Sequence, residues 1–253
     1  MKSPARFLYG LYERRIAAGL GSHLPAHVGV MLDGNRRWAR SVGLETSEGH
    51  RAGADRIADL LGWCEEVGID LVTLWLLSTD NLKREPTQVA QLLEIIASAI
   101  ESLAHARRWR LRIVGELDLL PAEIVDRLRA AERATADVEG VHVNCAVGYG
   151  GRDEIAGAVR SLLKEQAKAG VSLEDLADAI TVEHIAEHLY TRGQPDPDLV
   201  IRTSGEQRIG GFLLWQSVHS EFYFCEAYWP AFRKVDFLRA LRSYAARERR
   251  LGR

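Results

Sequence analysis

Short runs of Val, Ile, Leu and aromatic residues recur from His27 onward, separated by longer stretches whose apolar positions fall three or four residues apart. The runs at 27–32, 71–77, 110–115, 141–147, 198–203 and 221–225 have the length and composition of strands. The stretches at roughly 49–67, 86–106, 121–136, 152–169 and 235–250 carry helical spacing. Pro86 and Pro121 stand where the first turn of a helix accepts proline. Regular alternation of strand and helix predicts a single α/β domain: a central, mainly parallel six-stranded sheet flanked by helices. Residues 170–197 read as two short helices and a turn at Gly193-Gln194-Pro195-Asp196-Pro197.

Residues 1–25 follow a different pattern and are read as an N-terminal arm; residues 26–253 form the domain proper. Phe7, Leu8, Leu11, Tyr12 and Ile16 share one face of a short helix. That face is expected to pack on the body or on a partner. A peripheral contact with a membrane surface is the weaker alternative, because the polar face is short.

Composition narrows the classes. The chain has 253 residues, 47% of them hydrophobic, 27% charged, with a formal net charge of -2. A general nucleic-acid binder carries a basic excess, so nucleic acid is not expected as a partner. Cys64, Cys145 and Cys225 are too far apart for a paired metal motif and fit buried thiols in a reducing compartment. Neither a signal peptide nor an apolar run of about 18 residues is read from the pattern, so a cytoplasmic protein is expected.

Parallel α/β sheets bind ligands beyond the carboxyl ends of their strands. Asp33-Gly34-Asn35-Arg36-Arg37-Trp38 follows the first run, and Ser78-Thr79-Asp80-Asn81-Leu82-Lys83-Arg84 the second. Gly148-Tyr149-Gly150-Gly151-Arg152 follows the fourth, and Arg202-Thr203-Ser204-Gly205-Glu206-Gln207-Arg208 closes the fifth. Glycines let backbone N–H groups approach an anion, and guanidinium forks grip phosphate oxygens. A carboxylate beside an anion needs a cation between them, so Asp33 points to magnesium. An ordinary turn would use the same residue types at Asp33-Gly34-Asn35; the three other rims tip the balance to function. His50, on the helix after the first rim, is read as a further diphosphate contact. P-loop, G-x-G-x-x-G and G-x-S-x-G patterns are absent where their chemistry would need them. His184-Ile185-Ala186-Glu187-His188 matches an inverted zinc-protease pattern, but a polar helix face explains it better.

Asp33-Gly34-Asn35-Arg36-Arg37-Trp38-Ala39 resembles the signature of cis-prenyltransferases, the undecaprenyl diphosphate synthase family. Ser78-Thr79-Asp80-Asn81, Gly150-Gly151-Arg152, 201–206, 212–216, Glu221-Phe222-Tyr223-Phe224 and Arg250-Leu251-Gly252 resemble the family's other blocks in the same order. The resemblance runs from about His27 to the end. It implies the cis-prenyltransferase fold and an enzyme that joins isopentenyl diphosphate to an allylic diphosphate with Mg2+. Asp33 would hold the metal and aid departure of the allylic diphosphate. Gly34, Asn35, Arg36, Arg37 and His50 would cradle that diphosphate. Arg202, Arg208, Ile209 and Gly210 would hold isopentenyl diphosphate. Ser78 and Asn81 would lie near the proton that is lost, with Arg84 beside them. Trp38, Thr79, Asp80 and Leu82 fall in the same blocks and join the substrate-binding set. Glu221 would be a second metal ligand, reaching across a homodimer interface, and the Arg250-Leu251-Gly252 tail would complete the partner's site.

Three departures bear on the product. Thr46 stands where many long-chain members have an arginine, Leu82 where they often have tryptophan, and Leu76 where they tend to have a small residue. Gly210 replaces a usual serine, so only its backbone can contact phosphate. The strand 71–77 and a helix bearing Val89, Leu92, Leu93, Ile96 and Ile100 would wall the hydrocarbon tunnel, although most of these residues belong to the core. Leu76 would end the tunnel early. The pattern is similar to that of actinobacterial enzymes making (2Z,6E)-farnesyl diphosphate from geranyl diphosphate. A decaprenyl- or undecaprenyl-type synthase, an enzyme forming an irregular linkage between allylic units, and a non-catalytic partner subunit are the rivals. Peripheral association with the inner face of the cell membrane is left open.

Overall fold

The computed structural model describes residues 4–20 and 23–247. Six strands, β1 (His27–Met31), β2 (Leu71–Ser78), β3 (Arg110–Val114), β4 (His142–Tyr149), β5 (Leu199–Arg202) and β6 (Glu221–Phe224), form one sheet in the order β3-β4-β2-β1-β5-β6. Every pairing is parallel, so the sheet is wholly rather than mainly so. Parallel strands need crossovers, and helices supply them. The helices are α1 (Pro4–Ala18), α2 (Asn35–Ser41), α3 (Thr46–Val67), α4 (Pro86–Ala106), α5 (Ala122–Ala134), α6 (Gly151–Lys168), α7 (Leu173–Ala179), α8 (Val182–Ala186) and α9 (Lys234–Ala245).

Strand residues alternate between two cores, as the pleat requires. Val28, Val30, Val72, Leu74, Ile113, Val143 and Ile201 face a large core with the buried sides of α3, α4, α5 and α9. Met31, Ala146, Val200 and Tyr149 face a smaller one with Phe212 and Leu213. The alternation breaks at the end of β2. The β2–β4 register shifts between Trp75 and Leu77, a bulge that leaves Leu76 as the extra residue, and again between Leu77 and Ser78, where Gly148 is passed over in β4. Trp75 therefore packs on the smaller core, while Leu76 and Leu77 both reach the larger.

The sequence reading placed α3 three residues late. Glu48 reaches back to the Glu45 N–H at 2.9 Å, which sets the start at Thr46. Helix α2 was missed: it is a single short helix opened by Gly34 at φ 103°. Pro121 is the residue before α5 rather than part of its first turn. The last helix ends at Ala245, and the Arg250-Leu251-Gly252 tail lies outside the described residues. The arm packs on the body as expected: Ile16 and Leu20 are buried, and Arg239 donates to the Tyr12 hydroxyl. The side chains of Phe7, Leu8 and Leu11 lie outside the described residues. Helix α4 is long and apolar enough to cross a bilayer, which the sequence reading did not register. Its Leu92, Leu93, Ile96 and Ile100 instead build the main core.

Two glycines let α3 press against α2. A Cβ at Gly49 would stand 2.4 Å from the Asn35 carbonyl oxygen, and one at Gly53 would stand 2.2 Å from Asn35 Oδ1. Trp229 closes the joint by donating its indole N–H to the Gly53 carbonyl at 2.7 Å. Gly53→Ala should therefore force the helices apart and lower stability by about 1–3 kcal/mol, measured by urea unfolding. An unchanged midpoint would refute this account of the α2–α3 contact.

Candidate active site

From β1 the chain builds the sheet outward through β2, then returns to the other side of β1 with β5. Such a reversal opens a crevice at the strands' carboxyl ends. Here it is a cavity of about 540 Å³ between β1, β2, β5 and α2. Its walls carry six arginines (Arg36, Arg37, Arg40, Arg84, Arg202 and Arg208) and one carboxylate, Asp33. In a chain with a small net negative charge, this is a strong local concentration of cations.

Asp33 follows β1, and Arg202 ends β5. Arg202 donates to Asp33 Oδ2 at 2.8 Å, and an Arg37 nitrogen lies 3.6 Å from the same oxygen. Burial would raise the Asp33 pKa, but the Arg202 bond and charge, the Ser204 hydroxyl and the Arg37 charge together hold it below the ordinary value. Thr203 fixes the loop: its hydroxyl accepts from the Asp33 N–H at 3.0 Å and donates to the Asp33 carbonyl at 2.7 Å. Gly34 adopts its positive φ where a Cβ would meet Tyr228 at 2.7 Å.

The arginines divide into two sets. Arg37 donates to Ser204 Oγ at 2.7 Å and Glu206 Oε1 at 3.0 Å, and Arg208 also pairs with Glu206. Arg202 is buried, bound to Asp33 and to the Arg208 carbonyl, and its Nε has no partner. Arg36, Arg40 and Arg84 make no ion pair among the described residues. His50 lines the cavity with them, and its pKa falls to about 4 through burial and the charges of Arg84 and Arg36.

Ser78 and Asn81 cap one another across a single 3-10 turn. The Ser78 hydroxyl accepts from the Asn81 N–H at 3.1 Å, and Asn81 Oδ1 accepts from the Ser78 N–H at 3.3 Å. Both side chains reach the cavity. Arg84 of this block also lines it, whereas Thr79, Asp80, Leu82 and Lys83 do not. Thr79 donates to Asp153, Asp80 is exposed and pairs with Lys83, and Leu82 packs on the core. Trp38 and Ile209 also lie off the cavity wall, and Gly210 sits against the Trp75 ring. Thr46, at the start of α3, is likewise absent from the wall.

Towards α3 and α4 the cavity meets an apolar pocket of about 40 Å³. The two share Leu32, Asn35, His50, Leu76 and Leu92, and Ile57, Ile96 and Ala99 line the far part. Leu76, re-aimed by the bulge, stands at their junction.

Asp33 suits a hard divalent cation such as magnesium, which takes one or two carboxylates and completes its shell with substrate phosphates and water. Among the described residues no cluster of three or more His, Cys, Asp or Glu gathers, at Asp33 or at any other place. That includes the His184–His188 pattern: His184 Nδ1 caps its own helix through the Thr181 N–H, and His188 bonds Ser161. Glu221 opens edge strand β6, paired with Leu199 at the amino end of β5. Within one chain it is separated from the Asp33 rim and pairs with Arg247.

Sequence reasoning missed Arg40, Trp75 and Glu154. Arg40 stands one helical turn beyond Arg36, a relation visible only once α2 is recognised. Trp75 lies flat against Phe212, with ring centroids 5.3 Å apart, and forms a cavity wall. Glu154 is buried and accepts from the Tyr149 hydroxyl at 2.5 Å, the Tyr190 N–H at 2.9 Å and Gln216 Nε2 at 3.1 Å. It ties the segment after Arg208 to α6, and its spacing in the sequence carries no sign of this.

A family profile described as putative undecaprenyl diphosphate synthase matches residues 31–252. A (2Z,6E)-farnesyl diphosphate synthase of Thermobifida fusca is 61% identical over 247 residues, covering 97% of both chains. A short-chain Z-isoprenyl diphosphate synthase of Mycobacterium bovis is 58% identical, covering 97% of this chain and 96% of the relative. Among solved structures, lavandulyl diphosphate synthase from Lavandula x intermedia, in complex with dimethylallyl diphosphate, superposes with a TM-score of 0.82 at 34% identity, covering 89% of this chain and 97% of that one.

The state of His50 has a measurable consequence. Its ring titrates at 6.5 when unperturbed and at about 4 in the fold. Between these values the unfolded chain binds the extra proton, so stability should fall as pH drops from 6.5 towards 4. His50→Gln should flatten this dependence in urea unfolding across the interval; an unaltered slope would show that His50 is not its source.

Proposed function

The chain belongs to the undecaprenyl diphosphate synthase family of cis-prenyltransferases, and from that premise we propose that it condenses isopentenyl diphosphate with geranyl diphosphate to give (2Z,6E)-farnesyl diphosphate. The observation that carries this reading is the cavity itself, a single carboxylate among six arginines that runs into a small apolar pocket. The high identity to enzymes named for that product supports the short chain.

The unpaired guanidiniums of Arg36 and Arg84, with His50, receive the allylic diphosphate. Gly34, Asn35 and Arg37 complete its cradle. Arg202 and Arg208, joined through the Arg208 carbonyl, take isopentenyl diphosphate beside the backbone of Ile209 and Gly210. Holding both substrates replaces a bimolecular encounter with an oriented one. Asp33 would hold magnesium, which when bound offsets the charge growing on the departing diphosphate. The bond forms between C1 of the allylic substrate and C4 of isopentenyl diphosphate, and a proton leaves C2. Asn81 is too weak a base to take it. Its Oδ1 is occupied by the Ser78 N–H, which leaves its amide N–H groups to orient a diphosphate oxygen as acceptor.

A metal role for Glu221 requires a second copy of the chain, so the homodimer and the second metal ligand stand or fall together. Trp38, Thr79, Asp80 and Leu82 support the rim rather than contact substrate. Residues 26–253 act as the catalytic unit, with 1–25 as an accessory arm. Three buried free thiols fit a cytoplasmic setting. Packing of Ile16 and Tyr12 on the body favours the arm as a structural element over peripheral membrane contact.

A product assay with dimethylallyl, geranyl and farnesyl diphosphates as competing primers tests the assignment. Geranyl diphosphate should be preferred and one isopentenyl unit added. Asp33→Ala should lower turnover by roughly a hundredfold or more; wild-type turnover in that variant would reject the mechanism. A ladder of long products from the wild-type enzyme would instead assign a decaprenyl- or undecaprenyl-type synthase.

Leu76→Ala would enlarge the junction between cavity and apolar pocket. Each buried methylene favours entry by about 0.8 kcal/mol, so chromatography should show products at least one five-carbon unit longer. An unchanged product would mean that Leu76 does not limit chain length.

A further inference from the structure

The cavity's charges are not evenly satisfied. Arg37 of α2, Arg202 at the end of β5 and Arg208 are already bound to Asp33 or Glu206. Arg36, Arg40 and Arg84 have no acidic partner among the described residues. Arg36 and Arg40 lie four residues apart on α2, so they share a helix face. A like-charge pair at this spacing destabilises a helix. No acidic residue within α2 offsets it. Arg40 is exposed, so packing does not explain its presence, yet it lines the cavity with Arg36, Arg84 and His50. Arg36 stands in the first turn of α2 and Arg40 in the last.

We propose that Arg40 is a further substrate-binding residue, contacting the outer phosphate of the allylic diphosphate beside Arg36 and Arg84. Arg40 adds a third unpaired guanidinium to those of Arg36 and Arg84, beside the already paired Arg37 and the cation that Asp33 would hold. It sets affinity for the allylic partner and discriminates a diphosphate from a monophosphate. It leaves isopentenyl diphosphate, held by Arg202 and Arg208, unaffected. The inference rests on the assignment of the α2 side to the allylic substrate.

Steady-state kinetics of the full-length enzyme with Mg2+, geranyl diphosphate and isopentenyl diphosphate test it. R40A should raise KM for geranyl diphosphate on the order of tenfold. It should leave kcat and the KM for isopentenyl diphosphate within about twofold, a split that general damage to the fold would not produce. Inhibition by inorganic diphosphate should weaken in parallel, and R40K should recover most of the loss. The melting temperature of R40A should stay at or above that of the wild type, since a like-charge pair is removed. R133A, which removes a cation from the exposed end of α5, controls for overall charge and should change neither KM. An unchanged allylic KM in R40A, or equal rises in both KM values, overturns the role of Arg40. R36A separates this from the underlying assignment: if R36A also leaves the allylic KM unchanged, the half-site itself is misassigned; if R36A raises it and R40A does not, only Arg40 is excluded.

Discussion

The ion pair between Asp33 and Arg202 governs the site. It joins the ends of two adjacent strands whose residues are 169 positions apart in sequence. Arg202 is buried, and a buried guanidinium without a carboxylate is strongly unfavourable. Asp33 in turn lies among several guanidiniums, which keep it ionised despite its burial. The pair thus satisfies two requirements together. It joins the ends of β1 and β5, and it keeps the Asp33 carboxylate on the cavity wall with only Oδ2 bound to Arg202. The Thr203 hydroxyl, bonded to both the N–H and the carbonyl of Asp33, keeps that geometry rigid.

The two faces of the sheet contribute different physics. On the α3 side, small residues and close helix contact carry the apolar pocket, and its size follows from side chains such as Leu76 and Leu92. On the α6 side, aromatic stacking and a buried polar network fix the segment after Arg208. Trp75 rests on Phe212, and Glu154 gathers bonds from three separate stretches of chain. Burial raises the Glu154 pKa, although its hydrogen bonds oppose the shift. Gly210, Gly211 and Leu213 all adopt positive φ within this segment. Glycine takes such φ values freely, whereas at Leu213 they persist only where the surroundings over-determine the backbone. The Glu154 network and the Trp75 stack provide that restraint. The α3 face is therefore shaped by volume, and the α6 face by hydrogen bonds.

Much of this was legible in the chain. Strand composition, helix spacing and the punctuation of prolines and glycines predicted six strands and the principal helices. The rims after the first, second and fifth runs supplied Asp33, Arg36, Ser78, Asn81, Arg84, Arg202 and Arg208, all of which line one cavity. Helix α2 escaped because seven residues are too few for a clear period. Arg40 escaped with it. Thr79, Asp80 and Leu82 were included because they share a block with Ser78 and Asn81, yet a 3-10 turn directs them elsewhere. The bulge at Leu76 left no mark in composition.

Local sequence determined which segments become strands and helices and which chemical groups stand at their ends, because backbone preference and side-chain period act over a few residues. It did not determine which of those groups would already be neutralised. Whether Arg202 meets Asp33, whether Arg36, Arg40 and Arg84 stay unpaired, and how far the apolar space extends depend on strand order and on the register shift in β2. Those follow from packing between segments far apart in the chain, and only the tertiary structure fixes them.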